Sequence, residues 1–155
     1  AHNTVYIDNK SSSEVWNSFR VARRAHILRS EIKEIGNILH VEASHDGYKR
    51  LKGHPIHIRV WKISDRKIFI NDKITGQKQN AFANFILHRD IEIVKNSEFW
   101  ILKLKNGSSL KLTVLHGSGE IINYKHTLSF GNSYDTKCLK VALIENKSEV
   151  EIKRI

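Results

Sequence analysis

Apolar and polar residues alternate one by one along much of the chain after residue 55, and this period of two constrains the fold more than any other feature. Ile56, Ile58 and Val60 alternate with His57 and Arg59, and several later segments repeat the pattern. Side chains on a strand point alternately to opposite faces, so the alternation predicts strands with one apolar face.

The clearest predicted hairpin runs from Phe99 to Leu115. Leucines and lysines alternate on both arms, and Asn106-Gly107 stands between them. Asn-Gly favours a type I′ turn because both central residues need positive φ. With the turn signals elsewhere, the pattern predicts about eight antiparallel strands that form a curled sheet or a barrel.

A different period occupies residues 21–39. The apolar residues that recur there at spacings of three and four are Val21, Ala25, Leu28, Ile32, Ile35 and Leu39. This spacing predicts one long amphipathic helix, preceded by the N-cap hydroxyls of Ser11–Ser13 and ending near Gly36. The expected fold class is therefore α+β, mainly antiparallel β with one long N-terminal amphipathic helix. No repeat, linker or low-complexity segment divides the chain, so residues 1–155 are predicted to form a single domain.

Positive charge is the second informative feature. The chain has 26 lysines and arginines against 16 acidic residues, a formal net charge of +10 at pH 7. Such a surface attracts polyanions. We therefore expect a nucleic-acid-binding domain, RNA-binding or DNA-binding, that contacts the phosphate backbone with a basic helix face and basic strand faces. The predicted contact residues are Arg20, Arg23, Arg24, Arg29, Arg59, Trp61, Trp100, Lys103, Lys105 and Lys111.

Two alternatives use the same surface. In the first, the protein is a small nuclease or nuclease toxin in which histidine works with lysine or arginine, since RNA cleavage needs only a base, an acid and a cation. The candidate catalytic residues are His45, His54, His57 and His126. In the second, the protein binds another polyanion: a sulfated glycan, an acidic lipid or an acidic protein. The sequence leaves open whether the chain is catalytic at all.

Several classes of site have no support in the sequence. P-loop, G-x-G-x-x-G and G-x-S-x-G motifs are absent, which argues against nucleotide hydrolysis and serine-hydrolase chemistry. His54 and His57 would face opposite sides of a regular strand, so no metal site is predicted. No cofactor is predicted either.

The remaining features of the sequence concern membrane insertion, cellular compartment and processing. No apolar run approaches the ~20 residues that cross a bilayer, so no transmembrane segment is expected. The single cysteine, Cys138, favours a reducing compartment, the cytoplasm or nucleus, with secretion left open. The sequence lacks methionine even at its start, which suggests a processed product or a domain of a longer protein. The oligomeric state is not predicted.

Overall fold

A computed structural model describes residues 2–17, 20–129 and 132–155. These residues form strands in antiparallel pairs, and we find no helix among them. The strands of the described residues are β1 (Val5–Ile7), β2 (Glu14–Asn17), β3 (Arg20–Arg23), β4 (Ile27–Ile35), β5 (Ile38–His45), β6 (His57–Ser64), β7 (Lys67–Ile74), β8 (Ala81–Ile86), β9 (Glu92–Lys95), β10 (Trp100–Lys103), β11 (Ser109–His116), β12 (Ser118–Ser129), β13 (Asn132–Ala142) and β14 (Lys147–Arg154). None of the described segments could span a membrane as a helix.

The strands form a sandwich of two sheets of unequal width. The larger sheet has eight strands in the order β4-β5-β6-β7-β14-β11-β10-β9, and the smaller has four in the order β1-β8-β13-β12. A two-stranded ribbon, β2-β3, precedes β4. Because the larger sheet is twice as wide, the smaller sheet covers only part of its inner face.

The core lies between the sheets and takes alternate side chains from the strands of each sheet that face the other sheet. The smaller sheet supplies Val5 and Leu139 among others, while the larger supplies Ile70, Leu112 and Val150. All five are buried. This alternation is the period of two that the sequence shows after residue 55.

The predicted N-terminal helix is wrong, and the α+β class is wrong with it. Val21 lies on β3, Leu28 and Ile32 lie on β4, and Leu39 lies on β5. These residues face solvent, with Ile32 67% exposed and Leu28 48% exposed. Their spacing of three and four residues therefore arises by chance, because they belong to three separate strands. Gly36 does not end a helix; with a φ of 60° it turns the chain between β4 and β5.

The hairpin predicted at Phe99–Leu115 is confirmed, since β10 pairs with β11. Its turn differs from the prediction, because Gly107 has a positive φ and Asn106 does not. Gly107 N–H donates to the Leu104 carbonyl at 3.0 Å, which closes a longer loop than a type I′ turn. The predicted number of about eight strands is too low, chiefly because β3 and β4 lie in the segment predicted to be a helix.

Candidate functional site

Three imidazoles and a phenol meet at one end of the four-stranded sheet, where they line an open groove of about 440 Å³. We call it the imidazole groove and define it by His2, His88, His126 and Tyr134. β1 and β13 flank β8 and run antiparallel to it. The residues before β1, those after β8 and the tip half of the β12–β13 hairpin therefore share one end of the sheet.

His126 and Tyr134 stand opposite each other on β12 and β13. Their ring centroids are 5.4 Å apart and the rings are inclined at 81°, an edge-to-face arrangement that aromatic rings favour. The Nδ1 atom of His126 is buried and has no hydrogen-bond partner within the described chain. A buried polar atom without a partner raises the free energy of the fold, so a polar group that hydrogen-bonds this nitrogen would stabilise it.

His2 is exposed, but the backbone around it is anchored. Asn3 Oδ1 accepts a hydrogen bond from the Ile86 N–H at 2.7 Å, and the Asn3 carbonyl accepts one from Arg59 at 2.7 Å. The His2 carbonyl accepts from the Thr4 N–H at 2.9 Å. These bonds fix the chain beside the groove.

A second open groove of about 550 Å³ adjoins the first through His88, which lines both. It adds the cations Arg89 and Lys137, with Asp135 as its acidic lining residue. The Arg89 guanidinium carbon lies 5.3 Å from the centroid of the Tyr134 ring, within the range of a cation–π attraction. Cationic side chains thus stand beside groups that can transfer protons.

The interior of the sandwich holds a buried ionic cluster of His57, Arg59 and Asp72, which are 4%, 6% and 0% exposed. Arg59 donates from Nε at 2.6 Å and from Nη2 at 2.9 Å to the two carboxylate oxygens of Asp72. His57 Nε2 donates to Asp72 Oδ1 at 2.6 Å. A bidentate, charge-assisted pair of this kind can offset the cost of removing both charges from water.

Hydrogen bonds around this cluster fix the proton positions on two imidazoles. The Gly47 N–H donates to His45 Nδ1 at 3.2 Å, so the proton of His45 sits on Nε2. That proton is donated to His57 Nδ1 at 3.1 Å, which leaves the Nε2 proton of His57 for Asp72. The ring of His45 is neutral in this arrangement.

Two pKa values agree with this assignment. Burial, reinforced by His57 and Arg59, lowers the pKa of His45 to about 4. Burial raises the pKa of Asp72, but the hydrogen bonds and charges of His57 and Arg59 outweigh it and hold that pKa below its ordinary value. Since every polar group of the cluster is engaged, its role is structural, and it secures Asn3 beside the imidazole groove.

A small apolar pocket of about 200 Å³ opens over this cluster on the inner face of the larger sheet. Ile27 and Trp61 supply apolar lining, and His45 and Arg59 line it as well. Asn3 lines both this pocket and the imidazole groove, so the two hollows are neighbours.

A fourth hollow, the basic groove, has a volume of about 520 Å³ and lies between β3 and the turn after β5. Its lining includes the imidazole of His26 and four cations: Arg23, Arg24, Lys49 and Arg50. Arg23 pairs with Glu14 at 3.6 Å. Arg50 donates to the backbone carbonyls of residues 11, 12 and 47, which carry no net charge. This groove therefore retains an excess of positive charge.

The arginines predicted to share one helix face are separated. Arg23 and Arg24 line the basic groove, while Arg20 lies exposed on β3. Arg29 lies on β4, where the carboxylates of two glutamates stand at 2.5 and 3.1 Å from it. Two of the four arginines therefore contribute to one hollow.

The predicted lysines lie on the far half of the larger sheet, away from the arginines. Lys103 pairs with a glutamate at 2.8 Å and Lys105 with an aspartate at 2.9 Å. The Lys111 ammonium stands 4.2 Å from the centroid of the Phe99 ring. The arginines predicted to form the basic helix face and the lysines of the β10–β11 hairpin thus do not lie on a common surface.

The two tryptophans predicted to stack on bases differ in exposure, and neither is fully exposed. Trp100 is 9% exposed and belongs to the core. Trp61 is half-buried beside the apolar pocket, and Arg59 points its charge at Asp72 in the interior.

The four predicted histidines do not form one site. His45 and His57 are in contact through their ring nitrogens, 3.1 Å apart. His54 is exposed in a loop with its Nδ1 2.6 Å from the Lys49 carbonyl. His126 stands alone of the four in the imidazole groove. No group of three histidine, cysteine or acidic side chains is placed to hold a metal ion in the part of the chain that the structure describes.

Sequence reasoning missed three of the four residues that define the imidazole groove. His2 and His88 stand outside strands, where no alternation singles them out. Tyr134 could have been found from its symmetry with His126 about the turn of a hairpin, had the strands β12 and β13 been assigned in full.

Comparisons with known proteins identify a family and a solved structure to which the chain is similar. The sequence profile of the family described as "Heparinase II/III-like, C-terminal" matches residues 1–142. A solved structure of a heparinase III with methylated lysines has a TM-score of 0.69 to this chain at 17% identity. The match covers 99% of this chain and 23% of the heparinase III, so the chain spans about a quarter of that protein's length. No curated protein sequence matches.

These findings contradict the predictions of nucleic-acid binding and of a nuclease, because the matched family is named for heparinases. The error has a physical source. Net positive charge draws phosphates, sulfates and carboxylates alike, so it cannot identify the polyanion. Of the two predicted stacking residues, Trp100 belongs to the core and Trp61 is half-buried, so neither singles out nucleobases as the ligand.

Proposed function

This chain belongs to the family of heparinase II/III-like C-terminal domains, and from that premise we propose that it binds a polyanionic glycan for a glycan-acting enzyme. Glycans of this class carry carboxylates on uronic acids or sulfates on amino sugars. The ligand falls within the polyanions that the charge of +10 favours.

The observation that carries the proposal is the composition of the imidazole groove. It combines three histidines with Tyr134 in one open cleft, and Arg89 and Lys137 line the adjoining cleft. Imidazole and phenol groups hydrogen-bond sugar hydroxyls in either direction, because each can donate or accept. Arg89 can meet a carboxylate or sulfate with two parallel N–H groups.

The same groove supports a contribution to catalysis. Proton abstraction beside a uronic-acid carboxylate needs a base, a cation to stabilise the developing charge, and an acid for the leaving oxygen. His2, His126 and Tyr134 are the acid–base groups that we place in this role. The lining of this groove, as far as the structure describes it, contains no carboxylate, so the pair of acids used in ordinary glycoside hydrolysis is not provided here.

A direct binding measurement tests the proposal. Calorimetric titration with a size-fractionated heparin oligosaccharide should show binding that weakens linearly in log K against log salt, as counterion release requires. An uncharged glycan of the same length should bind at least tenfold more weakly. A single-stranded oligonucleotide of equal charge should compete poorly, because it lacks the sugar geometry.

A matched pair of variants assigns the binding to the groove. Arg89→Ala should reduce affinity for the oligosaccharide by about tenfold or more, equivalent to a lost charge-assisted hydrogen bond. Arg66→Ala removes the same charge from an exposed turn between β6 and β7 and should change affinity less than threefold. Equal losses in both variants, or no binding by the unaltered protein, would contradict the proposal.

A further inference from the structure

Three of the hollows described above follow one another along the molecule. Asn3 lines both the imidazole groove and the apolar pocket. The apolar pocket lies beside the basic groove, because residues that are consecutive in sequence line the two hollows. Ile27 and His45 line the apolar pocket, and their neighbours His26 and Asp46 line the basic groove.

We propose that these three hollows form one track for an extended anionic glycan, with the imidazole groove at one end and the basic groove at the other. The inference rests on the proposed function for the nature of the ligand. It adds a second binding region, which the comparisons do not assign, and a requirement for chain length.

The middle of the track suits the faces of sugar rings. The apolar pocket presents Ile27 and Trp61 on the inner face of the larger sheet, which the smaller sheet leaves uncovered here. Ile27 is 76% exposed, so a ligand on this face would remove substantial apolar surface from water. The pocket crosses β4, β5 and β6, a width of roughly 10 Å at the usual strand spacing.

The far end of the track carries positive charge that the protein itself does not neutralise. No carboxylate of the described residues lies within ion-pair distance of Arg24 or Lys49, and both are exposed. The bonds of Arg50 go to backbone carbonyls. Sulfate or carboxylate groups are the partners that such a cluster lacks.

The acidic residue in the basic groove is already engaged. Asp46 Oδ1 accepts a hydrogen bond from the His26 N–H at 2.8 Å, and its other oxygen lies 3.6 Å from the His26 imidazole. The backbone hydrogen bond is the main cause that lowers the pKa of Asp46. The charge of Lys49 also contributes to lowering the pKa of Asp46, but no ion-pair contact joins the two residues. Asp46 thus anchors the wall of the groove, and Arg24 and Lys49 are left without a direct ion-pair partner among the described residues for a ligand to displace.

The basic groove is also held in shape before any ligand arrives. A Cβ atom on Gly47 would lie 2.5 Å from the Ser12 carbonyl oxygen, so this turn packs directly on the N-terminal segment. Arg50 ties the same two segments together, since it donates to carbonyls on both. A groove fixed in this way loses little conformational entropy on binding.

One consequence is a dependence on ligand length. A short fragment can occupy the imidazole groove alone, whereas a longer chain that reaches the basic groove makes its second contact at high effective concentration. Affinity should therefore rise by about tenfold or more once the fragment is long enough to span the track.

A length series of heparin fragments, from tetrasaccharide to dodecasaccharide, tests this in calorimetric titrations. The double variant Arg24→Gln/Lys49→Gln should bind the shortest fragments as the unaltered protein does, but should lose the gain in affinity with length. The control Arg66→Gln/Lys95→Gln removes two exposed charges outside all three hollows. This control variant should keep the rise in affinity with fragment length.

The outcomes separate this inference from the proposed function. If Arg24→Gln/Lys49→Gln retains the gain with length, or if the unaltered protein shows none, the track is refuted while binding of short fragments still supports the proposed function. If no fragment of any length binds, the proposed function fails and the track fails with it. Thermal unfolding should confirm that both double variants fold as the unaltered protein does.

Discussion

His57 donates a hydrogen bond to Asp72 Oδ1 across 2.6 Å in the interior of the sandwich, and Arg59 Nε donates to the same oxygen at 2.6 Å. The carboxylate thereby joins two neighbouring strands, β6 and β7. Arg59 extends the connection to the Asn3 carbonyl, which lies next to His2 in the imidazole groove. An interior ion pair thus supports the backbone of the candidate site.

Removal of the carboxylate should destabilise the protein strongly. Asp72→Asn leaves the guanidinium of Arg59 buried without a counter-charge, which typically costs about 3–5 kcal/mol of unfolding free energy. Urea denaturation measures the change. The control Glu151→Gln breaks an exposed pair with Lys67, whose charged atoms are 3.2 Å apart, and should cost under about 1 kcal/mol. A loss for Asp72→Asn as small as that of the control would contradict the cluster's structural role.

Stability should fall as the solution is acidified. The pKa of His45 is about 4 in the folded protein against 6.5 for an ordinary histidine, so between these values the unfolded chain binds the extra proton. Unfolding free energy should therefore decrease as pH falls from about 6.5 to about 4. Asp72, whose pKa is lowered, adds a further loss below its ordinary value of 3.8. His45→Gln should flatten the profile between pH 6.5 and 4, and an unchanged slope would refute the assignment.

Close packing of the two sheets makes Gly119 intolerant of a side chain. A Cβ atom there would lie 2.7 Å from Val114 Cγ2 and 3.2 Å from the Trp100 ring. Gly119→Ala should cost about 1–3 kcal/mol of unfolding free energy through overpacking. The neighbouring Ser118 is exposed, and Ser118→Ala should change stability by under about 0.5 kcal/mol. Equal values for the two variants would show that the sheets are not packed as described.

The N-terminal third illustrates why sequence patterns misled. Arg29, Glu31 and Lys33 alternate in charge at a spacing of two and form ion pairs on one face of β4, which is a strand signal. The apolar residues of the same segment also recur at helical spacing, and that spacing predicts a helix. This segment forms a strand because β4 pairs with β5, and this pairing overrides the helical spacing of its apolar residues.

Residues after position 55 were easier to predict because one apolar face enters the core. Leu102 and Leu112 alternate with exposed or half-buried lysines, and the confirmed hairpin follows from that alternation. The site was harder, because His2, His88 and His126 are far apart in sequence and meet only through the order of strands in the smaller sheet. The periodicity of a single segment therefore cannot predict that these three histidines lie close together.

The exposure of the apolar residues in β4 can be tested by substitution. Ile32 is 67% exposed on β4, so Ile32→Ser should cost less than about 1 kcal/mol of unfolding free energy. A helix packed on the sheet through this residue would instead lose about 2–4 kcal/mol, as buried isoleucines do. Leu112, which is 1% exposed, provides the reference, and Leu112→Ala should cost about 2–5 kcal/mol.

The nine histidines of the chain offer the most direct test that the imidazole groove binds a polyanionic glycan. The Cε1–H resonances of each ring can be followed by NMR during titration with a heparin hexasaccharide. The account predicts that His2, His88 and His126 shift together and saturably, while His40 and His116, which line none of the hollows described, keep their positions. Saturable binding with no movement of His2, His88 and His126 would contradict it.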